Sequence, residues 1–411
     1  HTQTHTHTHT HTLYLYLYGL WQVGKGSFGQ VFQVRKKDTK QVFALKVLDK
    51  SHLSKIDQVQ NTKQERRVLE IVNHPFIVKL HYAFQTGPAL CLVMDFINGG
   101  ELFMHLRKHR FFSEPDARIW AAEILLALEY LHSMGIIYRD VKPENVLLDH
   151  EGHIKLTDFG LARDAKDVST AKEVAGSPYY MAPEVLLMHG HDVQADWWSL
   201  GILIYEMIVG LPPFYSKDTK AAYQRLLTEP LEFKPHVSQP ARDLIRALLN
   251  TDPSKRLGAV PKDHVVSEAW SDGMPIKMHA WFKALRWDAV LLRQVKPSLV
   301  PALKDAMDVS NFDHVFTSDK TWKHSSLLRG STNEEGEYGD DPFADFHYVS
   351  RPSMDKKMLD RFAGPGSQAA VRPAGRAPAR RYEVMEKGRE SLDLQMSRSA
   401  EFKRERPKSL D

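Results

Sequence analysis

The sequence predicts an α+β fold of two lobes with a cleft between them. Three observations carry that expectation. From Leu20 to about Leu92 the pattern is mostly short strands, from Glu101 to Phe282 helices dominate, and a glycine-rich loop, Gly24-Lys25-Gly26-Ser27-Phe28-Gly29-Gln30-Val31, opens the strand-rich part. Strands gathered first and helices second pack as two bodies, and ligand clefts form where such bodies meet.

Before the loop, Thr-His alternates from Thr4 to Thr12 and Leu-Tyr from Leu13 to Tyr18. A His-rich tract is a metal-binding composition. The plainer reading of residues 1–18 is a low-complexity extension, because the charged start and long apolar stretch of a secretory leader are missing. Glycines let backbone approach phosphates and present N–H donors to them. A dinucleotide-binding unit needs a helix directly after its glycines, whereas Val31-Phe32-Gln33-Val34 continues as a strand.

Gln41–Leu48 reads as the next strand, carrying Phe43-Ala44-Leu45-Lys46. A surface lysine is the ordinary reading of Lys46. On the inner face its charge instead points into the cleft, where polyphosphate satisfies it. Asp57–Val72 reads as a helix with apolar Val59, Val68, Leu69 and Val72; its Glu65 is a fitting partner for Lys46, although on its own Glu65 reads first as part of a solvated helix face. Glu114–His132 is a long amphipathic helix with Ile119, Ile124, Leu125, Leu128 and Leu131 on one side. Residues 283–350 are irregular, with Pro297, Pro301 and scattered aromatics, and residues 351–411 read as a solvated linker rich in Arg, Ala, Pro, Gly and Ser.

Composition narrows the function classes. Of 411 residues, 42% are hydrophobic and 26% charged, a globular balance that excludes wholesale disorder and a fibrous chain. No uncharged apolar run approaches the roughly 18 residues that span a bilayer. A single cysteine, Cys91, excludes an internal disulfide framework and fits a reducing compartment. The net charge is +4, and its basic excess sits in residues 351–411, where 15 Lys+Arg meet 9 Asp+Glu. The acids there are interspersed, which argues against a nucleic-acid role. Lys403-Arg404-Glu405-Arg406-Pro407-Lys408 is a nuclear-targeting candidate, so the expected location is cytoplasmic with a nuclear option.

The segment Tyr138-Arg139-Asp140-Val141-Lys142-Pro143-Glu144-Asn145 is followed by Asp158-Phe159-Gly160, Ala182-Pro183-Glu184 and Asp196-Trp197-Trp198. In that order and spacing the sequence resembles the eukaryotic protein kinases. The resemblance implies a bilobal kinase fold, a small antiparallel sheet lobe with one main helix above a larger helical lobe, with ATP in the cleft. It implies a catalytic domain over 19–282 and a C-terminal tail over 283–350. Catalysis then rests on positioning and charge stabilisation. Asp140 orients the substrate hydroxyl, Lys142 neutralises the migrating phosphoryl, and Lys46, fixed by Glu65, holds the α and β phosphates. Asn145 and Asp158 supply oxygens to Mg²⁺. Gly24 to Gly29, with Lys25, Ser27 and Phe28, cover the phosphates. Val31, Ala44 and Leu147 sandwich adenine, with hinge Asp95-Phe96-Ile97, Met94 behind it, and Glu101 at its end. Phe159, Leu69, Leu80 and Tyr138 form an apolar stack joining the lobes, and Glu184 pairs with Arg256.

The match is to the AGC group, which includes Akt-type and S6-type kinases, over about residues 20–350. Tyr138 before Arg139-Asp140, Gly99-Gly100-Glu101-Leu102-Phe103, and His279-Ala280-Trp281-Phe282 carry it. The group's tail implies that Phe312 in Asn311-Phe312-Asp313 lies near adenine. It also implies that Phe343 and Phe346 form a hydrophobic motif docked on the strand-rich lobe, a site where an upstream kinase engages. Glu101, Glu144 and Glu206 match positions that bind basic side chains, so the expected substrates are Ser/Thr in Arg/Lys-rich proteins, with Ser177 beside Asp140. A monomer is expected.

Two departures bear on regulation. Where many AGC kinases carry a phosphorylated residue three before Gly176, this chain has Glu173, a permanent carboxylate expected to pair with Arg139. Ser169 and Thr170 are nearby phosphorylation candidates. The second departure is His347, which follows Phe346 where Ser, Thr or an acid is usual; Ser350 or Ser353 are alternative sites. The rival from another class is a pseudokinase scaffold, opposed by intact Lys46, Glu65, Asp140, Lys142, Asn145 and Asp158. A small-molecule kinase has no use for Ala182-Pro183-Glu184 or the groove acids.

Overall fold

The computed structural model describes residues 17–26, 29–53, 56–165, 175–259, 271–318, 342–343 and 345–350. The loop residues Ser27 and Phe28, the segment with Ser169, Thr170 and Glu173, and the basic tail with Ser353 lie outside the described residues.

The first lobe is one antiparallel sheet built from β1 (Leu17–Lys25), β2 (Gly29–Lys36), β3 (Val42–Asp49), β4 (Leu80–Gln85), β5 (Ala89–Asp95) and β10 (Tyr348–Val349), in the order β1-β2-β3-β5-β4-β10. Alternation of side chains along β3 decides its two faces. Phe43, Leu45 and Val47 point into one apolar cluster with Phe32, Val34, Cys91 and Val93. Ala44 and Lys46 therefore face the other way, toward the cleft, where register sets Lys46 beside Val31 and Ala44 beside Met94. One helix, α1 (Ile56–Ile71), packs on this lobe through Val68 and Leu69.

The second lobe is helical. Its helices include α2 (Leu102–His109), α3 (Glu114–Ser133), the short α4 (Pro183–Leu186), α5 (Gln194–Val209), α6 (Thr219–Thr228) and α7 (Gln239–Leu248). Ser113 caps α3 by accepting from the Asp116 N–H, with Pro115 in the first turn, a start signal for a helix. Every residue of α5 is buried, Asp196 and Glu206 included, so the helix has no solvent face and serves as the central post. It stops at Gly210, whose φ of 97° favours glycine, and a Cβ there would lie 2.2 Å from the Arg110 carbonyl oxygen. Short strands β6 (Ile136–Ile137), β7 (Val146–Leu148), β8 (Ile154–Leu156) and β9 (Arg163–Asp164) frame the segment between α3 and α4.

Boundaries differ from the sequence reading by one residue: β3 is shifted forward, α1 backward, and α3 runs to Ser133. The stretch expected to be irregular, 283–350, holds turns of helix at Trp287–Leu291 and His314–Thr317 and ends in β10. It crosses back over the cleft through side-chain bonds. Asn98 Nδ2 donates to the Asp305 carbonyl at 3.0 Å, Gln33 Nε2 to that of Met307 at 2.9 Å, and Asn311 Nδ2 to that of Asn98 at 3.2 Å.

Candidate active site

Between the sheet and the helical lobe lies a cleft of about 640 Å³. Its upper wall is Gly24, Gly26, Gly29, Val31, Ala44 and Lys46; its back and floor include Met94, Asp95, Ile97, Glu101, Asn145, Leu147 and Asp158; Phe312 closes the front. Phe312 stacks on Phe96 with ring centroids 5.7 Å apart and planes 19° apart. The Asp95 side chain is turned to His81 at 2.7 Å and the Lys79 N–H at 3.2 Å. Lys25 ends β1 and is not among the described lining residues. Val23 and Thr157 line the cleft as well and had not been singled out in the sequence.

Lys46 is the electrostatic centre of the upper wall. Its Nζ lies 2.7 Å from Glu65 Oε1 on α1 and 3.4 Å from Asp158 Oδ1. Burial opposes the lysine charge, but the Asp158 and Glu65 carboxylates outweigh it and hold its pKa above the ordinary lysine range. The ammonium in turn holds Asp158 below the usual carboxylate range. Burial pushes Glu65 up against the pull of Lys46.

The lower wall is a hydrogen-bonded cluster around Asp140. Its Oδ2 accepts from Lys142 Nζ at 2.7 Å and Asn145 Nδ2 at 2.7 Å, and its Oδ1 accepts from Ser177 Oγ at 2.9 Å. Lys142 Nζ also reaches Ser177 Oγ at 2.9 Å. The backbone is strained here: Arg139 has φ 68° and Asp158 φ 58°, in the left-handed region that non-glycine residues avoid. Asp196 on α5 stabilises the first by accepting from the N–H groups of Tyr138 at 2.8 Å and Arg139 at 2.7 Å. Asp196 is itself held by His132 Nε2 at 2.8 Å, whose Nδ1 lies 2.6 Å from Asp272. Burial opposes charge on His132, yet the two carboxylates raise its pKa to about 10. Nothing in the sequence marked His132, because it sits on an ordinary amphipathic helix and its partners lie far along the chain. The Arg139 side chain donates Nε to the Leu161 carbonyl at 2.7 Å.

Three further acids act on one another electrostatically through Glu144. Burial first, and then the charge of Glu144, raises both Glu101 and Glu206 to about 7. Burial also raises Glu144, whose Oε2 is buried with no hydrogen-bond partner among the described residues. Tyr180 donates its hydroxyl to Glu206. Glu101 is bridged to the backbone of Leu147.

Around the cleft, Leu69, Leu80, Tyr138 and Phe159 are all buried, with the Tyr138 and Phe159 rings edge to face at 5.2 Å. Arg256 makes a two-pronged bond to Glu184, at 2.6 and 2.9 Å. Phe343 and Phe346 are buried against α1 and β4, Gln85 Nε2 donates to the Phe343 carbonyl at 3.1 Å, and Arg66 lies over the Phe346 ring.

A bilobal fold with a lysine–glutamate pair above an aspartate–lysine–asparagine cluster defines a protein kinase architecture. Residues 19–271 match the family described as protein kinase domain, and the chain belongs to that family. It is 44% identical over 328 residues to "Protein kinase 2" of Dictyostelium discoideum, covering 80% of this chain and 66% of that protein. It is 46% identical over 299 residues to the "RAC family serine/threonine-protein kinase homolog" of the same organism, covering 72% and 64%. Against human "Serine/threonine-protein kinase Sgk1" the figures are 46% over 299 residues, covering 72% and 67%. These relatives place the chain in the AGC group. The matched stretch spans about two thirds of the length of these relatives, and about half of others such as "Serine/threonine-protein kinase gad8" of Schizosaccharomyces pombe, at 50%.

Proposed function

We propose that this chain is a serine/threonine protein kinase that transfers the γ-phosphoryl group of ATP to Ser or Thr in Arg/Lys-rich proteins. The observation that carries this reading is the opposition, across one cleft, of the Lys46–Glu65 pair and the Asp140–Lys142–Asn145–Ser177 cluster. Lys46 grips the α and β phosphates, and Glu65 keeps it from collapsing elsewhere. Asp140, pinned at both oxygens, orients the incoming hydroxyl and takes its proton, while Lys142 meets the charge on the transferring phosphoryl. The loop from Gly24 to Gly29, including Lys25, Ser27 and Phe28, lies over the phosphates. Val31, Ala44 and Leu147, with Met94, Asp95 and Ile97 behind and Phe312 in front, enclose the adenine.

The residues present fit a hard cation. Asn145 commits its amide nitrogen to Asp140, which leaves its carbonyl oxygen for a metal, and Asp158 adds a carboxylate kept ionised by Lys46. Asn145 and Asp158 would hold Mg²⁺ there, and the cation would supply charge neutralisation to the phosphates. Glu101, Glu144 and Glu206 bind basic side chains upstream of the acceptor: Glu206 is buried, Glu101 and Glu144 are half-buried, and burial leaves each favouring a cationic partner.

In regulation, Glu173 stands in for an activation-loop phosphate and pairs with Arg139, with Ser169 and Thr170 as further modification sites. The docked Phe343 and Phe346 form the hydrophobic motif, where an upstream kinase engages. The domain limits are 19–282 for the catalytic part, 283–350 for its tail and 351–411 for a basic extension, following residues 1–18. No described helix is long and apolar enough to cross a membrane; the proposed compartment is the cytoplasm, with access to the nucleus.

The test is a peptide array. Ser peptides with upstream arginines are expected to be phosphorylated, and the same peptides with Arg→Ala to lose about tenfold or more, the scale of a charge-assisted hydrogen bond. Glu101→Gln with Glu206→Gln is expected to erase the difference. Equal rates on both peptide sets in the wild type would remove the basis for the substrate class.

A further inference from the structure

We infer that Gln33 is a positioning residue for the nucleotide. It fastens the tail segment that crosses the cleft to the strand of the glycine-rich loop, and so keeps Phe312 seated at the front of the adenine pocket. The inference rests on the kinase reading above and adds a residue behind that same site. Gln33 is a polar residue in an apolar setting. Side chains alternate along β2, and its neighbours Phe32 and Val34 point into the apolar cluster with Phe43, Leu45 and Val47. Gln33 therefore shares the cleft face with Val31, and register sets it beside Ala44. It is fully buried, at 0% exposure.

A buried amide costs free energy unless it is hydrogen-bonded. Gln33 Nε2 donates to the Met307 carbonyl at 2.9 Å, 274 residues along the chain. Gln33 Oε1 is buried with no partner among the described residues. An apolar side chain would fill this place without that penalty, so packing alone does not account for the amide; the bond to Met307 does.

The tail around Met307 is braced from within. The Met307 N–H donates to Asp305 Oδ1 at 2.7 Å, and the Lys304 and Ser310 N–H groups donate to the Asp308 carboxylate at 2.8 and 2.9 Å. The Phe312 N–H donates to the Val309 carbonyl at 3.0 Å. A segment fixed in this way moves as a unit, so what holds Met307 also places Phe312. The bonds from Asn98 to Asp305 and from Asn311 to Asn98, with the Phe96–Phe312 stack, tie it to the hinge side. Gln33 ties it to the sheet, on the strand that begins at Gly29, the last glycine of the loop. Opening the loop over the phosphates and lifting Phe312 from the adenine are thereby linked through one hydrogen bond.

The experiment compares the full chain with Gln33→Leu, and with Gln33→Met as an unbranched second variant; both remove the donor. Initial rates on an Arg-rich Ser peptide are measured against ATP, with Mg²⁺ in excess, and against peptide. The KM for ATP is expected to rise about three- to tenfold, the scale of one net hydrogen bond, with kcat and the KM for peptide unchanged. Phe312→Ala is expected to raise the ATP KM as well. Adding Gln33→Leu to it is expected to raise that KM less than about twofold further, because the bond acts through the ring. An unchanged ATP KM in both Gln33 variants, beside an active wild type, would overturn the inference and leave the kinase reading intact. So would a full further rise on top of Phe312→Ala, a fall in kcat that matches the rise in KM, or loss of folding in both variants, which would make Gln33 a structural residue. If the wild type itself transfers no phosphate, the kinase reading fails and this inference with it.

Discussion

At Glu101 and Glu206 burial holds two carboxyls near pH 7, and this has two consequences with opposite partners. A basic peptide needs them ionised, so its KM is expected to fall as pH rises from 6 to 8, a trend that Glu101→Gln with Glu206→Gln removes in a steady-state pH series. For the free protein the sign runs the other way. A carboxyl whose folded pKa lies above its unfolded value adds stability below about 4.5 and loses it as pH rises through about 7. Glu206→Gln is therefore expected to melt above wild type at pH 8 and level with it at pH 5, by calorimetry; parallel melting curves at both pH values would contradict this. Residue order offered Glu65 as a partner for Lys46 but by itself favoured a solvated helix face; it was the resemblance to protein kinases that implied the pair, which the structure places at 2.7 Å. The positive φ of Arg139 and the His132 clamp on Asp196 were not legible, because both arise from contacts between residues distant in sequence.

The element that ties catalysis to the tail is α1. It carries Glu65 toward the cleft and Arg66 toward the tail, where Arg66 Nη1 donates to the His347 carbonyl at 3.3 Å. Beyond it, Tyr348 pairs with Ala83 and Val349 with Tyr82, and the Ser350 N–H reaches the His81 carbonyl at 2.8 Å. The docking thus uses two buried rings and backbone bonds, with His347 where the group's phosphate or acid usually sits. Phe346→Ala is expected to lose about 3–5 kcal/mol, the range for emptying a buried aromatic site. It is also expected to speed amide exchange along α1 and to lower activity through a looser Lys46–Glu65 pair. Unchanged exchange in α1 would break the proposed link. Phe343 and Phe346 were visible in the sequence as aromatics without a helix or strand period. β10 was not, because a two-residue strand is defined by its partner edge and leaves no pattern of its own.

For the whole molecule, the order of glycine loop, Lys46, Asp140, Asp158 and Glu184 made the two-lobed fold legible in advance, since each motif belongs to a fixed place around one cleft. What the sequence could not supply is how the lobes and tail close on one another, which depends on bonds such as Asn98 to Asp305 and the Phe96–Phe312 stack. In the helical lobe the fully buried Arg256 answers Glu184, and removing one partner leaves an uncompensated charge. Arg256→Ala is expected to destabilise the fold by about 3–5 kcal/mol in denaturant titration; a loss below about 1 kcal/mol would show that the pair is dispensable.

Asp140, opposed to Lys46, is what makes this cleft the proposed phosphoryl-transfer site. The most direct measurement is ATP/Mg²⁺-dependent phosphate transfer to an Arg-rich Ser peptide by phosphatase-treated protein, beside an Asp140→Asn control that retains nucleotide binding. Transfer by the wild type and a loss of at least about a hundredfold in the control are expected, the lower range for a positioned general base. Mg·ATP binding without transfer in either protein, or equal transfer in both, would contradict this role of Asp140.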